Sequence, residues 1–319
     1  MKKVLLLVLC ASLLLSACGA RPGGLRQIQL AIGYIPNIQF APIYTAIANG
    51  RFAGEGLEVE ITHMDENQAA ALVGAGDLQF AVVSGEQVLL ARSQGLPVVY
   101  VAAWYQQYPV SVAALAEEGI NSPADLRGKT IGLPGLYGAN YIGLRALLHA
   151  GGLSEADVTL ESIGYTQVEA LAAGRNPIVC GYTANEPVQL RARGYEITEL
   201  RVADYVQLAA NGIITNEETL RGNPELVRRM VNGFLNGLLD AIADPEAAYR
   251  VSMDFVEGLG ADDPIQMQVL ETSIELWRAD RPGYSDPLAW ENMQATLLDM
   301  GLLSEPLDLS QAFTNDFVP

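Results

Sequence analysis

Cysteine is nearly absent. The 319 residues contain three, and two of them, Cys10 and Cys18, fall in the first eighteen positions. Only Cys180 lies in the body of the chain, so no disulfide can form there, and a cysteine-built metal site lacks its partners. The two histidines, His63 and His149, stand far apart without the short spacing that ligating pairs use. Each reads as a surface or helix-end residue, and no metal site is expected. Positive charge is also scarce. Nineteen Lys and Arg face 37 Asp and Glu, for a formal net charge of −18, and no basic cluster follows Lys2 and Lys3. Nucleic acid and anionic membrane surfaces both require a positive face and are therefore not expected as partners. No Ser-His-Asp set, lysine nucleophile or paired acid and base can be assembled, so no catalytic residue is assigned.

What is present begins with a leader. Lys2 and Lys3 precede the apolar run "VLLLVLCASLLLSA", which is shorter than the roughly 20 residues of a membrane span and ends in small residues, as signal peptides do. Leu15-Ser16-Ala17-Cys18 resembles the bacterial lipobox, which implies removal of residues 1–17 and a lipid on Cys18. Residues 18–26, "CGARPGGLR", have the glycine and proline of a flexible tether. The expected location is the extracytoplasmic face of the cell membrane, held by the lipid.

Beyond the tether two periodicities alternate. "QIQLAIGYI", "LEVEITHM", "LQFAVVS" and "VVYVAAWY" read as strands, separated by helices that end on glycine. The pattern restarts at Ser122-Pro123, with a strand at Lys129–Leu133, a Gly-rich turn and a helix over Gly138–Ala150. After "LAANGIITN" the chain reads as helical to its end. Asn223-Pro224, Asp244-Pro245, Asp263-Pro264 and Asp286-Pro287 each set a capping side chain before a first-turn proline. The expectation is α/β architecture with largely parallel pairing and a helical C-terminal tail.

"GYIPNIQFAPIYTAIANGRFAGEGLEVEI", with "DLQFAVVSGEQVLLARSQGLPVVYVAAWY", "SPADLRGKTIGLPG" and "VEALAAGRNPIVCGYTANEPVQL", resembles the substrate-binding proteins of ABC importers. The branch is the one that includes thiamine-pyrimidine-precursor, alkanesulfonate and taurine binders, and the likeness covers essentially the whole mature chain. It implies a two-lobed periplasmic-binding-protein fold of type II, with the ligand cleft between lobes. Lobe 1 would comprise residues 27–112 and 208–319, and lobe 2 residues 113–207, with crossovers near 110–118 and 203–211. It also implies a permease and an ATPase as partners, a monomeric binder and no cofactor.

Ligands in such sheets collect at strand ends and the helix starts that follow. Those points carry Tyr34, Asn37, Gln39, Phe40, Ser84, Glu86, Trp104, Tyr105, Tyr137, Gly138, Asn140, Tyr165, Tyr182, Asn185 and Glu186, the candidate ligand-binding residues. Trp104 and Tyr105 on one jaw and Tyr182 on the other read as an aromatic clamp, with Asn185 and Glu186 on the ligand's hydrogen-bonding edge. Tyr44 and Tyr141 sit inside helices. No arginine enters these loops, and Arg92 and Arg145 read as solvated helix faces. Aromatics and amides suit a flat neutral ring, each stacked pair adding about 0.5–1.5 kcal/mol. Riboflavin, as transported ligand, fits better than a thiamine pyrimidine precursor or an alkanesulfonate. An alternative of another class is a pyrimidine-precursor synthase. That enzyme's cysteine-rich "CCCFC" stretch is reduced here to "IVCGYT", and a lone cysteine is usually a small buried hydrophobe.

Overall fold

The computed structural model describes residues 24–319; the leader, Cys18 and most of the tether lie outside the described residues. Two five-stranded sheets are present. In the first, β1 (Arg26–Gly33), β2 (Leu57–Met64), β3 (Phe80–Val83) and β4 (Val98–Ala103) are joined by β10 (Gly212–Asn216), in the order β2-β1-β3-β10-β4. In the second, β5 (Val110–Leu115), β6 (Thr130–Leu133), β7 (Thr159–Ser162), β8 (Ile178–Tyr182) and β9 (Ile197–Arg201) lie in the order β7-β6-β8-β5-β9. The two orders have the same form, and in each the fourth strand arrives from the other sheet.

That arrival corrects the expectation of largely parallel pairing. β1 pairs in parallel with β2 and β3, and β6 with β7 and β8. β10 is antiparallel to β3 and β4, and β5 to β8 and β9. The reason is directional. β4 and β9 end where the sheets face each other, so a strand entering from a crossover starts at that edge and runs away from it. The chain passes between sheets after Ala103 and before Val110, and returns after Arg201 and before Gly212. All of β5 belongs to the second sheet, so the first passage lies a few residues upstream of position 112.

The principal helices are α1 (Ala41–Ala48), α2 (Glu66–Ala75), α3 (Gly85–Ser93), α4 (Gly138–Ala150), α5 (Gln167–Ala172), α6 (Glu186–Ala192), α7 (Pro224–Ala243), α8 (Pro245–Ser252), α9 (Pro264–Trp277) and α10 (Pro287–Asp299). The four Asn/Asp–Pro pairs do open helices, each Asn or Asp side chain accepting an N–H of the first turn. The C-terminal helices cover the first sheet. α7 crosses α1 so closely that a Cβ on Gly237 would stand 2.5 Å from the Pro42 carbonyl oxygen. Tyr44 stacks on Phe255 at 4.5 Å, and Trp290 lies against Phe313 and Tyr100. Phe234 and Leu238 of α7 are fully buried, each worth about 1.5–3 kcal/mol. No helix among the described residues is long and apolar enough to cross a membrane.

Candidate functional site

The strand ends and helix starts of both sheets surround one cleft, with about 910 Å³ of space including its open mouth. The first sheet contributes Tyr34, Gln39, Phe40, Asp65, Glu66, Trp104 and Tyr105; the second contributes Tyr137, Asn140, Tyr165, Tyr182 and Glu186. Asn211 enters from the return crossover.

Two carboxyl groups, the half-buried Glu66 and the buried Glu186, line the floor with the buried Glu86 beneath it, and no Lys, Arg or His lines the cleft. Glu66 opens α2, Glu86 lies in the first turn of α3, and Glu186 opens α6. The Ser84 hydroxyl lies 2.6 Å from Glu66 Oε2 and also contacts Glu86 Oε1. A serine hydroxyl has one proton to give, so one of its two neighbours must donate instead, and the carboxyl pair holds a proton between them. Burial lifts both groups, Glu86 to about 8 with the Glu66 charge adding to the lift. Glu186 is lifted by burial to about 7, against the Tyr182 N–H at 2.7 Å and the Asn185 amide at 3.1 Å that both donate to it. Gly33 makes room for this arrangement: a Cβ there would stand 2.2 Å from Glu66 Cγ.

Asn211 ties the parts together. Its carbonyl oxygen accepts the Trp104 and Tyr105 N–H groups at 3.0 and 3.2 Å, joining the two crossovers. Its side-chain amide donates to Glu66 Oε1 at 3.3 Å, and its side-chain oxygen accepts the Tyr182 hydroxyl at 3.2 Å. Tyr108, in the first crossover, makes a second tie, donating to the Ala139 carbonyl at 3.1 Å with Glu86 Oε2 3.4 Å away. Polar contacts thus run from the first sheet through both crossovers to the second.

The aromatics separate into two groups. Trp104 and Tyr105 are only 2 % and 5 % exposed, and Trp104 sits among Phe40, Phe234, Tyr105 and Trp277. Tyr105 meets Tyr182 edge to face, 6.3 Å between centroids and 83° between planes. These residues form a floor, and the parallel slot imagined between two jaws is not there; their rings already touch. The more accessible rings are at the mouth. Tyr137 and Tyr165 are about half exposed, and Tyr34 packs edge-on against Tyr165 across the cleft at 4.7 Å. Tyr34 is the one non-glycine residue with positive φ among the described residues, at 80°. Such a backbone costs of the order of 1–3 kcal/mol and persists where its surroundings impose it. His63 Nδ1, 2.8 Å from the Tyr34 carbonyl, is one such restraint.

Most of the sequence candidates therefore meet on one surface: Tyr34, Gln39, Phe40, Trp104, Tyr105, Tyr137, Gly138, Asn140, Tyr165, Tyr182, Asn185 and Glu186 all line the cleft. Three are placed behind it. Asn37 caps the turn Ile38–Phe40 through the Gln39 N–H. Ser84 and Glu86 are fully buried beneath the floor, acting on the cleft only through Glu66 and Tyr108. Tyr44 and Tyr141 face elsewhere, onto Phe255 and Glu155. Arg92 and Arg145 do not form solvated faces; they are largely buried and paired with Glu217 and Glu155. His63 is likewise half-buried in β2 rather than on a helix end. The sequence reading passed over Asp65, Glu66, Gln167 and Asn211. Asp65-Glu66 directly follows β2, the same signal that marked the other sites, and Asn211 precedes the glycine that opens β10.

Cys180 is buried, its thiol lifted far above the usual range by burial and its Sγ 3.4 Å from the Asn140 carbonyl oxygen. That environment holds the thiol neutral and unreactive. Among the described residues no group of three or more His, Cys, Asp or Glu is placed to hold a metal ion. Two polar atoms in the cleft wall lack a partner, Trp104 Nε1 and Asn140 Oδ1.

Comparison with known proteins follows the same lines. The family described as NMT1/THI5 like matches residues 37–248. The chain is 45% identical over 304 residues to the riboflavin-binding protein RibY of Chloroflexus aurantiacus, covering 92% of this chain and 87% of that one. It is 28% identical over 322 residues to a formylaminopyrimidine-binding protein of Halalkalibacterium halodurans, covering 97% of each. Among solved structures, the alkanesulfonate-binding protein SsuA of Xanthomonas axonopodis pv. citri, bound to MOPS, superposes with a TM-score of 0.71 at 17% identity, covering 92% of this chain and 100% of that one. This last likeness establishes the two-lobed binding-protein fold and nothing finer.

Proposed function

Because the chain belongs to the NMT1/THI5 like family, we propose that it is the solute-binding component of an ABC importer and that its ligand is riboflavin. The observation that carries the reading is the cleft itself: aromatic rings at floor and mouth, hydrogen-bond acceptors between them, and no cation in its lining. A flavin supplies a broad ring for the aromatics, an imide N–H for a carboxylate or amide oxygen, and hydroxyls for the rest. The 45% identity to a riboflavin-binding protein supports the same ligand.

A thiamine pyrimidine precursor is the second reading, favoured by the formylaminopyrimidine-binding relative. A sulfonate finds little support, because no cation lines the cleft and α2, α3, α5 and α6 each carry a carboxyl in the first turn. A synthase finds little as well, its expected thiol chemistry reduced to the buried Cys180.

Ligand-driven closure needs contacts that exist only when the lobes meet. The Tyr34–Tyr165 and Tyr105–Tyr182 pairs and the Tyr182–Asn211 bond join the two halves in this way. The remaining elements of the proposal are two lobes divided at the crossovers 104–109 and 202–211, a lipid on Cys18 that keeps the binder at the membrane, and delivery to a permease served by an ATPase. Titration with riboflavin, followed by flavin fluorescence, tests the ligand; no change at micromolar protein refutes it, and a response to a pyrimidine alone selects the second reading. Fractionation of Cys18→Ser tests the anchor, which is wrong if the variant stays with the membrane and migrates like wild type.

A further inference from the structure

We propose that the cleft is a charge filter that admits a neutral, donor-bearing flavin and rejects the same flavin carrying a phosphate monoester. The inference rests on the riboflavin reading and deepens it. Its basis is the distribution of carboxylates from floor to mouth. Glu66 and Glu186 line the floor, and Asp65 stands exposed at the entrance to α2. No Lys, Arg or His lines the cleft, and Arg145 and Arg191 nearby in sequence are paired with Glu155 and Glu199.

Helix starts commonly bind phosphate through free N–H groups. Asp65 already accepts the N–H groups of Asn67 and Gln68. Glu86 and Glu186 place carboxyls in the first turns of α3 and α6. α5 carries Glu169 in its first turn as well, whereas α1, which follows Phe40, and α4, opening at Gly138, have no acid there. A phosphate near the starts of α2 or α6 therefore meets carboxyl oxygens with no cation in the lining to offset its charge, while a hydroxyl in the same position finds an acceptor. Close approach of like charges in a partly desolvated cleft is strongly unfavourable.

The test is paired titration of the wild-type protein with riboflavin and with riboflavin 5′-phosphate, at about 10 mM and about 1 M salt. Those conditions move the screening length from about 30 Å to about 3 Å. The expected result is a phosphorylated flavin bound at least about 100-fold more weakly than riboflavin at low salt, with the ratio falling several-fold at high salt. A ratio below about 3 at low salt overturns the filter while leaving the riboflavin reading intact. A large ratio that ignores salt also overturns it, since exclusion would then be steric. Absence of riboflavin binding removes the ligand reading and the filter with it. A second variant measurement uses Asp65→Asn, which keeps the helix cap. The affinity ratio of the two flavins should shrink relative to wild type, and an unchanged ratio counts against the proposal.

Discussion

Replacing Glu186 by glutamine should stabilise the protein, and by an amount that depends on pH. The carboxyl is buried, and its folded-state pKa is lifted from an ordinary 4.5 to about 7. For an acid whose pKa is raised by folding, the native state binds more protons than the unfolded chain over the interval between the two values. Stability is therefore full below about pH 4.5 and is lost as pH rises through 7. Each pH unit in that interval corresponds to about 1.4 kcal/mol, so the ionised group costs roughly 3 kcal/mol by pH 8. Glutamine cannot ionise, and its carbonyl oxygen can still accept the Tyr182 N–H that Glu186 Oε2 accepts at 2.7 Å. Urea unfolding of wild type and Glu186→Gln at each pH from 5 to 9 measures the difference. The two should be close near pH 5 and separate by about 3 kcal/mol near pH 8, the variant being the more stable. Parallel stability curves would refute the reasoning, showing that Glu186 is solvated and ordinary in the folded protein. Glu86, lifted to about 8, leaves a residual slope of the same sign in both proteins. Flavin binding measured on the same samples shows what the costly carboxyl contributes to the ligand, the usual tension between stability and function.

Three further outcomes follow from the packing. Trp104→Ala should lower stability by about 3–5 kcal/mol, read as a fall in Tm, because the ring fills the core between Phe40, Phe234 and Trp277; an unchanged Tm with weakened binding would restore it to a ligand-stacking role. Gly33→Ala should force Glu66 from its place and weaken riboflavin binding about tenfold or more, with a stability cost of about 1–3 kcal/mol, since the new Cβ would lie 2.2 Å from Glu66 Cγ. Asn211→Leu should speed flavin dissociation in stopped flow by roughly tenfold, for loss of the Glu66 and Tyr182 bonds; an unchanged off-rate in a well-folded variant removes Asn211 from closure.

Several features of the cleft were legible in sequence for a simple physical reason. A strand–helix junction places its side chains at the sheet edge wherever it occurs, so Tyr34, Tyr137 and Glu186 could be assigned from local pattern alone. The caps before the prolines in α7 to α10 were local in the same way. Partnership across distance was not legible. Nothing near Trp104 in sequence announces Phe234 or Trp277, which arrive from helices more than a hundred residues later and turn a supposed jaw into core. Nor does Ser84 disclose that Glu66 will reach its hydroxyl from eighteen positions away, beneath rather than within the cleft. Asn211 carries four bonds to three other segments, none of them nearby in sequence.

The placement of β10 has a consequence for how the chain matures. It lies between β3 and β4, yet it is made more than a hundred residues after them. As the polypeptide emerges from N to C terminus, β3 and β4 have no ladder to share until residue 216 is available, while the second sheet needs nothing outside residues 110–201. The second sheet can close first, and the first must wait with two open strand edges and without the α7 surface that covers α1. Unpaired apolar edges are where nascent chains associate wrongly. Truncation anywhere before Asn216 thus leaves a species with one finished half and one sticky half, and the interval between synthesis of β4 and β10 is the period in which a chaperone has most to protect.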